Sequence, residues 1–429
     1  MSLRKTSSDG SQERIYFSVV VPTRERYDTL YYTLQTCLNQ RYEPCEILVS
    51  DNWSQDETEA VVRSFQDSRL RYVNTGRRLS MTGNYEFALS QVSGSSTTST
   101  SQHYVIFIGD DDALMPAALE SLDKIIRETG WQAIKWSLGS YNWPDPSHQA
   151  VDANLLTVPL SGAVERRETH AAIREVIEGD FNWLRLPMIY HGAVCLDVIQ
   201  RIQERTGDFF HSIVPDLYSG FAVASMLREY GFSQRPFSLG GTSHHSIGRA
   251  FTQADGKEKS EQFVKEIDRP NHPRLPFTRN AAIATAETFF QCQDRFETAQ
   301  AIPLNVEHLL QVALRQASSA QPAHYNEMVE AIREAGRRNE VGEMAVERMI
   351  SAHPNHPAVP SLPSLGYYRR EALYIVDASD FDAYDVFSAS LLAHTLYTLE
   401  RLNYKTYSRQ LRTMIHRLKS RLKRSFHRL

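Results

Sequence analysis

The hydrophobic pattern is that of alternating strands and helices over the first third of the chain. Ile15 to Val21 is a largely apolar run ended by Pro22, and Leu30, Leu34, Cys37 and Leu38 follow at helical spacing. Glu46 to Ser50 reads as a second strand. Ser54-Gln55-Asp56-Glu57 then has capping-box spacing and predicts a helix with Ala60, Val61 and Phe65 turned inward. Leu70 to Val73 is a short third strand, Thr82 to Ser90 an amphipathic helix, and Ser93 to Ser101 an insert of Ser, Thr and Gly alone. Tyr104 to Ile108 has the composition of a strand buried on both faces, and Gly109 ends it. Pro116 suits a first helical turn, with Leu119, Leu122, Ile125 and Ile126 continuing at helical spacing. This alternation, kept up to about residue 127, predicts a parallel sheet with right-handed crossovers.

Beyond it the pattern is less regular. Gln132 to Leu138 reads as a strand, Arg167 to Glu178 as a helix, Met188 to Leu196 as a strand entering a helix over Asp197 to Arg205, and Phe237 to Leu239 as a short strand. Between them Val214-Pro215-Asp216 opens an apolar helix that reaches about Leu227. Past Lys257 the strand signals fade, and helices interrupted by Pro270 to Pro276 and by Gln321-Pro322 extend to about Ser351. His353 to Pro363, with four prolines, reads as a stiff linker before a last helical stretch. The expected organisation is therefore a disordered lead over 1–14, an α/β domain over 15–256, and an all-α domain over 257–429.

Composition narrows the function. The chain has 429 residues, 41% of them hydrophobic, with a formal charge of −4, so it is globular and lacks the basic excess of a general nucleic-acid binder. No apolar run approaches the roughly 18 residues that cross a bilayer, and residues 1–14 are polar, so the cytoplasm is the expected compartment. Cys37, Cys45, Cys195 and Cys292 have no CxxC spacing and read as small buried apolar residues.

The chemistry centres on Asp110, Asp111 and Asp112, directly after the buried strand at the carboxyl edge where open α/β sheets bind ligands. Three adjacent carboxylates repel one another near neutral pH, so something positive must answer them. A hard cation such as Mn²⁺ or Mg²⁺, which takes oxygen ligands and bridges to phosphate, suits the set; the alternative is a solvated acidic turn before a helix.

Val19-Val20-Val21-Pro22-Thr23-Arg24-Glu25-Arg26, Ile47-Leu48-Val49-Ser50-Asp51-Asn52 and Phe107 to Pro116 each close a predicted strand, and in this order they resemble the family 2 glycosyltransferases of GT-A fold over roughly residues 15–250. The resemblance implies a Rossmann-like, mostly parallel sheet flanked by helices, ahead of the helical domain. It also implies an inverting transferase that moves a sugar from a nucleoside diphosphate, UDP being expected, to a hydroxyl of a glycan or lipid-linked glycan. Pro22, Thr23, Glu25, Asp51, Asn52, Arg78, Asn84, Asp110 and Asp111 fall at donor-binding positions, with Asp51 accepting the imide N–H of uracil. The Asp-x-Asp element maps to Asp110 and Asp112, the latter binding the metal, although the register Asp110-Asp111 fits some members as well. His245, in the polar loop after the last predicted strand, is a further metal ligand, and Arg77 is an alternative contact for the diphosphate. Asp216 matches the general base, its alternative role being a helix cap, and Asp208 is the weaker competitor.

Two other readings compete. Asp110-x-Asp112 also resembles an aspartyl-nucleophile phosphohydrolase, but it lies deep in the chain and Leu114 departs from that pattern. A non-catalytic nucleotide-sugar-binding scaffold is the reading outside enzymes. From Arg401 to Leu429 the chain is basic with no acid, and Leu411, Met414, Ile415, Leu418, Leu422 and Phe426 form a stripe. This amphipathic tail suits either peripheral contact with the inner face of a membrane or packing on the preceding helices. The helical domain also offers a surface for a homo-oligomer.

Overall fold

A computed structural model of the protein describes residues 14–93, 102–144, 152–246, 263–358 and 362–401. The lead before Arg14, the serine- and threonine-rich insert over 94–101 and the basic tail over 402–429 lie outside the described residues.

The first part alternates as its pattern predicts: β1 (Tyr16–Thr23), α1 (Tyr27–Leu38), β2 (Cys45–Asp51), α2 (Thr58–Ser64), β3 (Leu70–Asn74), α3 (Met81–Ser90) and β4 (His103–Phe107). There follow β5 (Ala113–Leu114), α4 (Ala118–Thr129), β6 (Ala133–Trp136), β7 (Gly139–Asn142), β8 (Leu155–Pro159), β9 (Val164–Glu168) and α5 (Thr169–Ile177). The remainder of this part is β10 (Gly192–Cys195), α6 (Leu196–Thr206), α7 (Pro215–Met226), β11 (Glu229–Ser233) and β12 (Ser238–Thr242).

The main sheet has the order β3-β2-β1-β4-β10-β6-β11-β9. Its first four strands are parallel, while β10 runs antiparallel between β4 and β6. Tyr104 to Ile108 are completely buried, as a central strand covered by helices on both faces requires. Helices lie against this sheet, so the fold class is the expected mixed α/β one with a helical C-terminal region.

Local departures have local causes. α2 starts at Thr58 rather than at the Ser54 capping box, because Asp56 accepts from the Thr58 N–H (3.0 Å) and Ser54 turns to the Glu25 N–H (2.8 Å). Its buried residues are consequently Thr58 and Val62, not Val61. Pro116 precedes α4, since Ala117 takes a left-handed conformation (φ +58°) and β5 intervenes to pair with β12. Arg167 lies in β9, not in a helix.

The expected boundary near residue 257 does not separate two cores. Helix α7 buries ten of its twelve residues, so it must be covered all round. One cover is the helix Ala281–Gln293, where Phe289 meets Phe221 with ring centroids 5.1 Å apart. Helices over Val306–Ser318, Pro322–Arg338 and Glu343–Ala352 extend the same hydrophobic cluster. After the proline-rich linker the chain is not all-α: β13 (Gly366–Tyr368) and β14 (Leu373–Asp377) form a hairpin, and β14 pairs antiparallel with β8. The second sheet has the order β13-β14-β8-β7-β12-β5, and the helix Val386–Arg401 packs on it, burying Val386, Ala389 and Ala393 in a second cluster.

Phe221→Ala should destabilise the protein by about 3–5 kcal/mol. Because α7 and the helices beyond it share one core, far-UV circular dichroism and tryptophan fluorescence should report the same shifted urea midpoint, whereas two separate transitions would show independent cores.

Candidate active site

The carboxyl ends of β1, β2 and β4 open on a cleft of about 660 Å³. Its lining draws Pro22 and Thr23 from β1, Asn52 from the end of β2, Asn84 and Tyr85 from α3, and Asp110 and Asp111 from the turn after β4. Tyr190, Asp216 and Gly241 complete it from the segment before β10, from α7 and from β12.

The three consecutive aspartates, all buried, have different partners. Asp110 Oδ1 accepts from Arg26 Nη1 (2.9 Å), and Arg26 Nη2 donates to the His245 carbonyl (2.7 Å). Burial works against the Arg26 charge, but Asp110 and Asp111 overcome it and raise its pKa. Asp111 Oδ2 accepts from Ser243 Oγ (2.7 Å) and Ser246 Oγ (2.6 Å), neutral donors only. Burial, followed by the charges of Asp112 and Asp110, pushes the Asp111 pKa up to about 6. Asp112 is absent from the cleft lining and turned into the protein. Its Oδ2 accepts from the Gly109 N–H (2.5 Å), Tyr190 OH (2.7 Å) and His191 Nε2 (3.2 Å), and its Oδ1 from the Gly241 N–H (2.7 Å). Burial alone would raise its pKa, but His191, Tyr190 and Gly241 lower it. Gly241 is required by closeness, since a Cβ there would stand 1.7 Å from the Asp111 carbonyl oxygen.

This division leaves different oxygens open to the cleft. Asp110 Oδ2 is buried without a hydrogen-bond partner and Asp111 faces the cleft, so these two offer oxygen ligands of the kind Mn²⁺ or Mg²⁺ takes. Asp112, expected as the metal ligand, already has both oxygens occupied by donors. His245, the other expected ligand, directs its ring to Asp28 (3.1 Å) and lies outside the cleft lining.

The remaining expected residues divide in the same way. Asn52 lines the cleft and brackets Leu79, taking its N–H and donating to its carbonyl (both 2.8 Å). Asn84 lines it too and accepts from Ser50 Oγ (3.0 Å). Thr23 Oγ1 is buried in that lining without a partner. Asp51 is buried just outside it; Oδ2 accepts from Tyr72 OH (2.6 Å) and Asn74 Nδ2 (2.9 Å), Oδ1 from the Ser54 N–H (2.9 Å). Glu25, at φ +53°, braces the neighbouring loop by accepting from the Gln55 N–H (3.0 Å). Arg78 is answered at the rim by Glu266 (3.2 Å), which also holds Arg24 (2.5 Å).

Asp216 lies in the first turn of α7, after Pro215 rather than at the cap, and faces the cleft. Burial raises its pKa, while the backbone N–H groups of Leu217 and Asp216 and then Lys135 and His191 pull it back in part. Asp208 is held by Arg269 (3.0 Å) and His211 (3.3 Å) and is not in the lining. Sequence reasoning passed over Arg26, Tyr85, Tyr190, His191, Lys135, Ser243 and Ser246. Only the Gly240-Gly241 pair and the polar Tyr190-His191 step inside an apolar run marked their places.

A mostly parallel sheet with paired acids at its carboxyl edge is the arrangement expected of a GT-A nucleotide-sugar-binding domain. Residues 18–150 match the model of glycosyl transferase family 2, and this part of the chain is a family 2 glycosyltransferase domain of GT-A fold. The chain is 36% identical over 108 residues to the GalNAc(5)-diNAcBac-PP-undecaprenol beta-1,3-glucosyltransferase of Campylobacter jejuni, covering 24% of this chain and 32% of the relative. It is 26% identical over 95 residues to the UDP-Glc:alpha-D-GlcNAc-diphosphoundecaprenol beta-1,3-glucosyltransferase WfaP of Escherichia coli, covering 22% and 35%. The matched segment thus spans about a third of each curated relative. Among solved structures, S. aureus TarS 1–349 in complex with UDP-GlcNAc overlaps 79% of this chain and 91% of its own at 11% identity and TM-score 0.43. The mannosyltransferase PcManGT of Pyrobaculum calidifontis, in complex with GDP-Man and Mn²⁺, overlaps 79% and 86% at 16% identity and TM-score 0.36.

The folded protein keeps the Asp111 proton up to about pH 6, whereas an unfolded aspartate loses it near 3.9, so stability falls as the pH rises through that window. Asp111→Asn should therefore raise the stability of the protein at pH 7 in chelator, by on the order of 1–3 kcal/mol, and leave it almost unchanged at pH 4. Urea unfolding at the two pH values checks this.

Proposed function

We propose that the protein is an inverting glycosyltransferase that moves a sugar from a nucleoside diphosphate, UDP in our reading, to a hydroxyl of a lipid-linked glycan. The observation that carries this is the presence of Asp216 in the same cleft as Asp110 and Asp111 and the end of β2. A donor laid along the sheet edge meets donor-binding groups at one place and a carboxylate of raised pKa at another. The undecaprenol-linked substrates named for both curated relatives support the acceptor class, and the UDP-Glc named for one supports the donor.

In this reading Pro22, Thr23 and Asn52 border the base, while Asp51, buried behind the lining with both oxygens taken by donors, braces the strand ends that carry them. Asp110 takes the ribose and Asp111, rather than Asp112, the metal. A bound cation supplies positive charge against the departing diphosphate. Arg26, charged and fixed by Asp110, adds to the positive field of the same cleft. The acceptor hydroxyl gives its proton to the Asp216 carboxylate as its oxygen forms the bond to the anomeric carbon. The bond from that carbon to the diphosphate oxygen breaks on the opposite face, so the configuration inverts and the nucleoside diphosphate leaves. Burial of Asp216 makes it a better base than a solvated carboxylate. A phosphohydrolase would need Asp112 as the partner acid of Asp110, and Asp112 does not face the cleft.

Turnover of UDP-sugars with a diphosphoundecaprenol-linked glycan, followed by NMR of the new linkage, is expected to give inverted product. Asp216→Asn should lower kcat by at least about a thousandfold while UDP affinity stays within about threefold. Retained turnover in this variant would remove Asp216 from the role.

A further inference from the structure

Lys135 is the one buried lysine among the described residues, on β6 and 2% exposed. Its Nζ makes two hydrogen bonds, both to successive backbone carbonyls: Tyr190 O (3.0 Å) and His191 O (2.9 Å). The backbone there is strained, with His191 at φ +49°. It is also tight, because a Cβ on Gly192 would stand 2.0 Å from the Met188 carbonyl oxygen. From this turn Tyr190 enters the cleft lining, and its hydroxyl and His191 Nε2 both reach Asp112 Oδ2. His191 Nδ1 is held in turn by Ser238 Oγ (2.9 Å), which accepts from Trp136 Nε1 (2.8 Å).

Burial lowers the Lys135 pKa to about 7, the Asp216 carboxylate holding it up in part, and the amine keeps its N–H donors for the two carbonyls in either protonation state. Each carbonyl could be satisfied by a separate donor, whereas a single Nζ bridging both fixes their relative orientation. We propose that Lys135 is a positioning residue: its Nζ clamps the carbonyls of Tyr190 and His191 and so holds the turn that presents Tyr190 to the cleft and supplies two of the four donors to Asp112. This inference rests on the transferase reading above. With the clamp gone, Tyr190 shifts in the cleft lining, Asp112 keeps only its Gly109 and Gly241 donors, and the geometry next to Asp216 loosens. Small misplacements of this kind lower kcat strongly while leaving donor binding nearly intact.

The test compares Lys135→Met, which keeps the apolar stem and removes the donors, with Lys135→Gln, which keeps a neutral donor. The Met variant should lose at least about tenfold in kcat with the donor KM within about threefold, and the Gln variant should recover part of the loss. Combined with Tyr190→Phe, the Met substitution should cost no more than the worse single variant, because both act through one turn. Retention of kcat within about twofold in Lys135→Met, or multiplicative losses in the pair, would overturn the proposal. If the Met variant does not fold, the Gln variant carries the same cycle. Hydrogen exchange of the segment 188–193 reads the clamp without catalysis: it should quicken in either variant while exchange elsewhere is unchanged. Unchanged exchange defeats the clamp, whereas faster exchange in a protein whose wild type transfers no sugar defeats the transferase reading alone.

Discussion

Three buried carboxylates in sequence at the end of the central strand β4 repel one another, and much of the surrounding structure answers that repulsion. Each receives its own partners from a different part of the chain. Arg26 at the start of α1 meets Asp110, the serines after β12 meet Asp111, and the Tyr190–His191 turn before β10 meets Asp112. The loops that must converge for nucleotide-sugar chemistry are therefore drawn to one place by charge. Only Asp110 is paired with a full counter-charge in hydrogen-bond contact with the cleft. Asp111, held by neutral hydroxyls, is left as the carboxylate that gains most from a cation.

The same economy extends to the rest of the fold. The main sheet supplies strand ends in fixed register, Pro22 opposite Ser50 and Thr23 opposite Asp51, so the positions proposed for the donor come from backbone pairing rather than from loop conformation. Helix α7, apolar on nearly all sides, carries Asp216 at the end that meets the cleft and is wedged by the Ala281–Gln293 helix. The β13–β14 hairpin extends the second sheet and the last described helix covers it, and strand β12 of that sheet brings Gly241 against Asp111 and Asp112. The C-terminal part of the chain is thus mechanically continuous with the site.

What could be read from the sequence followed from burial. Strands covered on both faces leave unbroken apolar runs, so β1, β2 and β4 were plain, and the acids at their ends marked the carboxyl edge. The directions of the three aspartates were not legible, because they occupy a non-repetitive turn where no periodicity governs orientation. The Tyr190–His191 turn was hidden for a similar reason: its left-handed step falls inside an apolar run that reads as one strand from Met188. The β14–β8 pairing joins residues more than two hundred positions apart, and nothing local announces such a partner, although Leu373 to Val376 has a strand's composition. Lys135 looked like an ordinary polar position in a strand until both neighbouring strands placed it in the core.

The central claim is that this sheet edge is a metal-assisted nucleotide site, and calorimetry tests it most directly. Titration of UDP and of GDP into the wild-type protein, each with Mn²⁺ and with chelator, should show UDP binding that disappears on chelation. Absence of binding by either nucleotide under both conditions would contradict the account and return the three aspartates to a structural role.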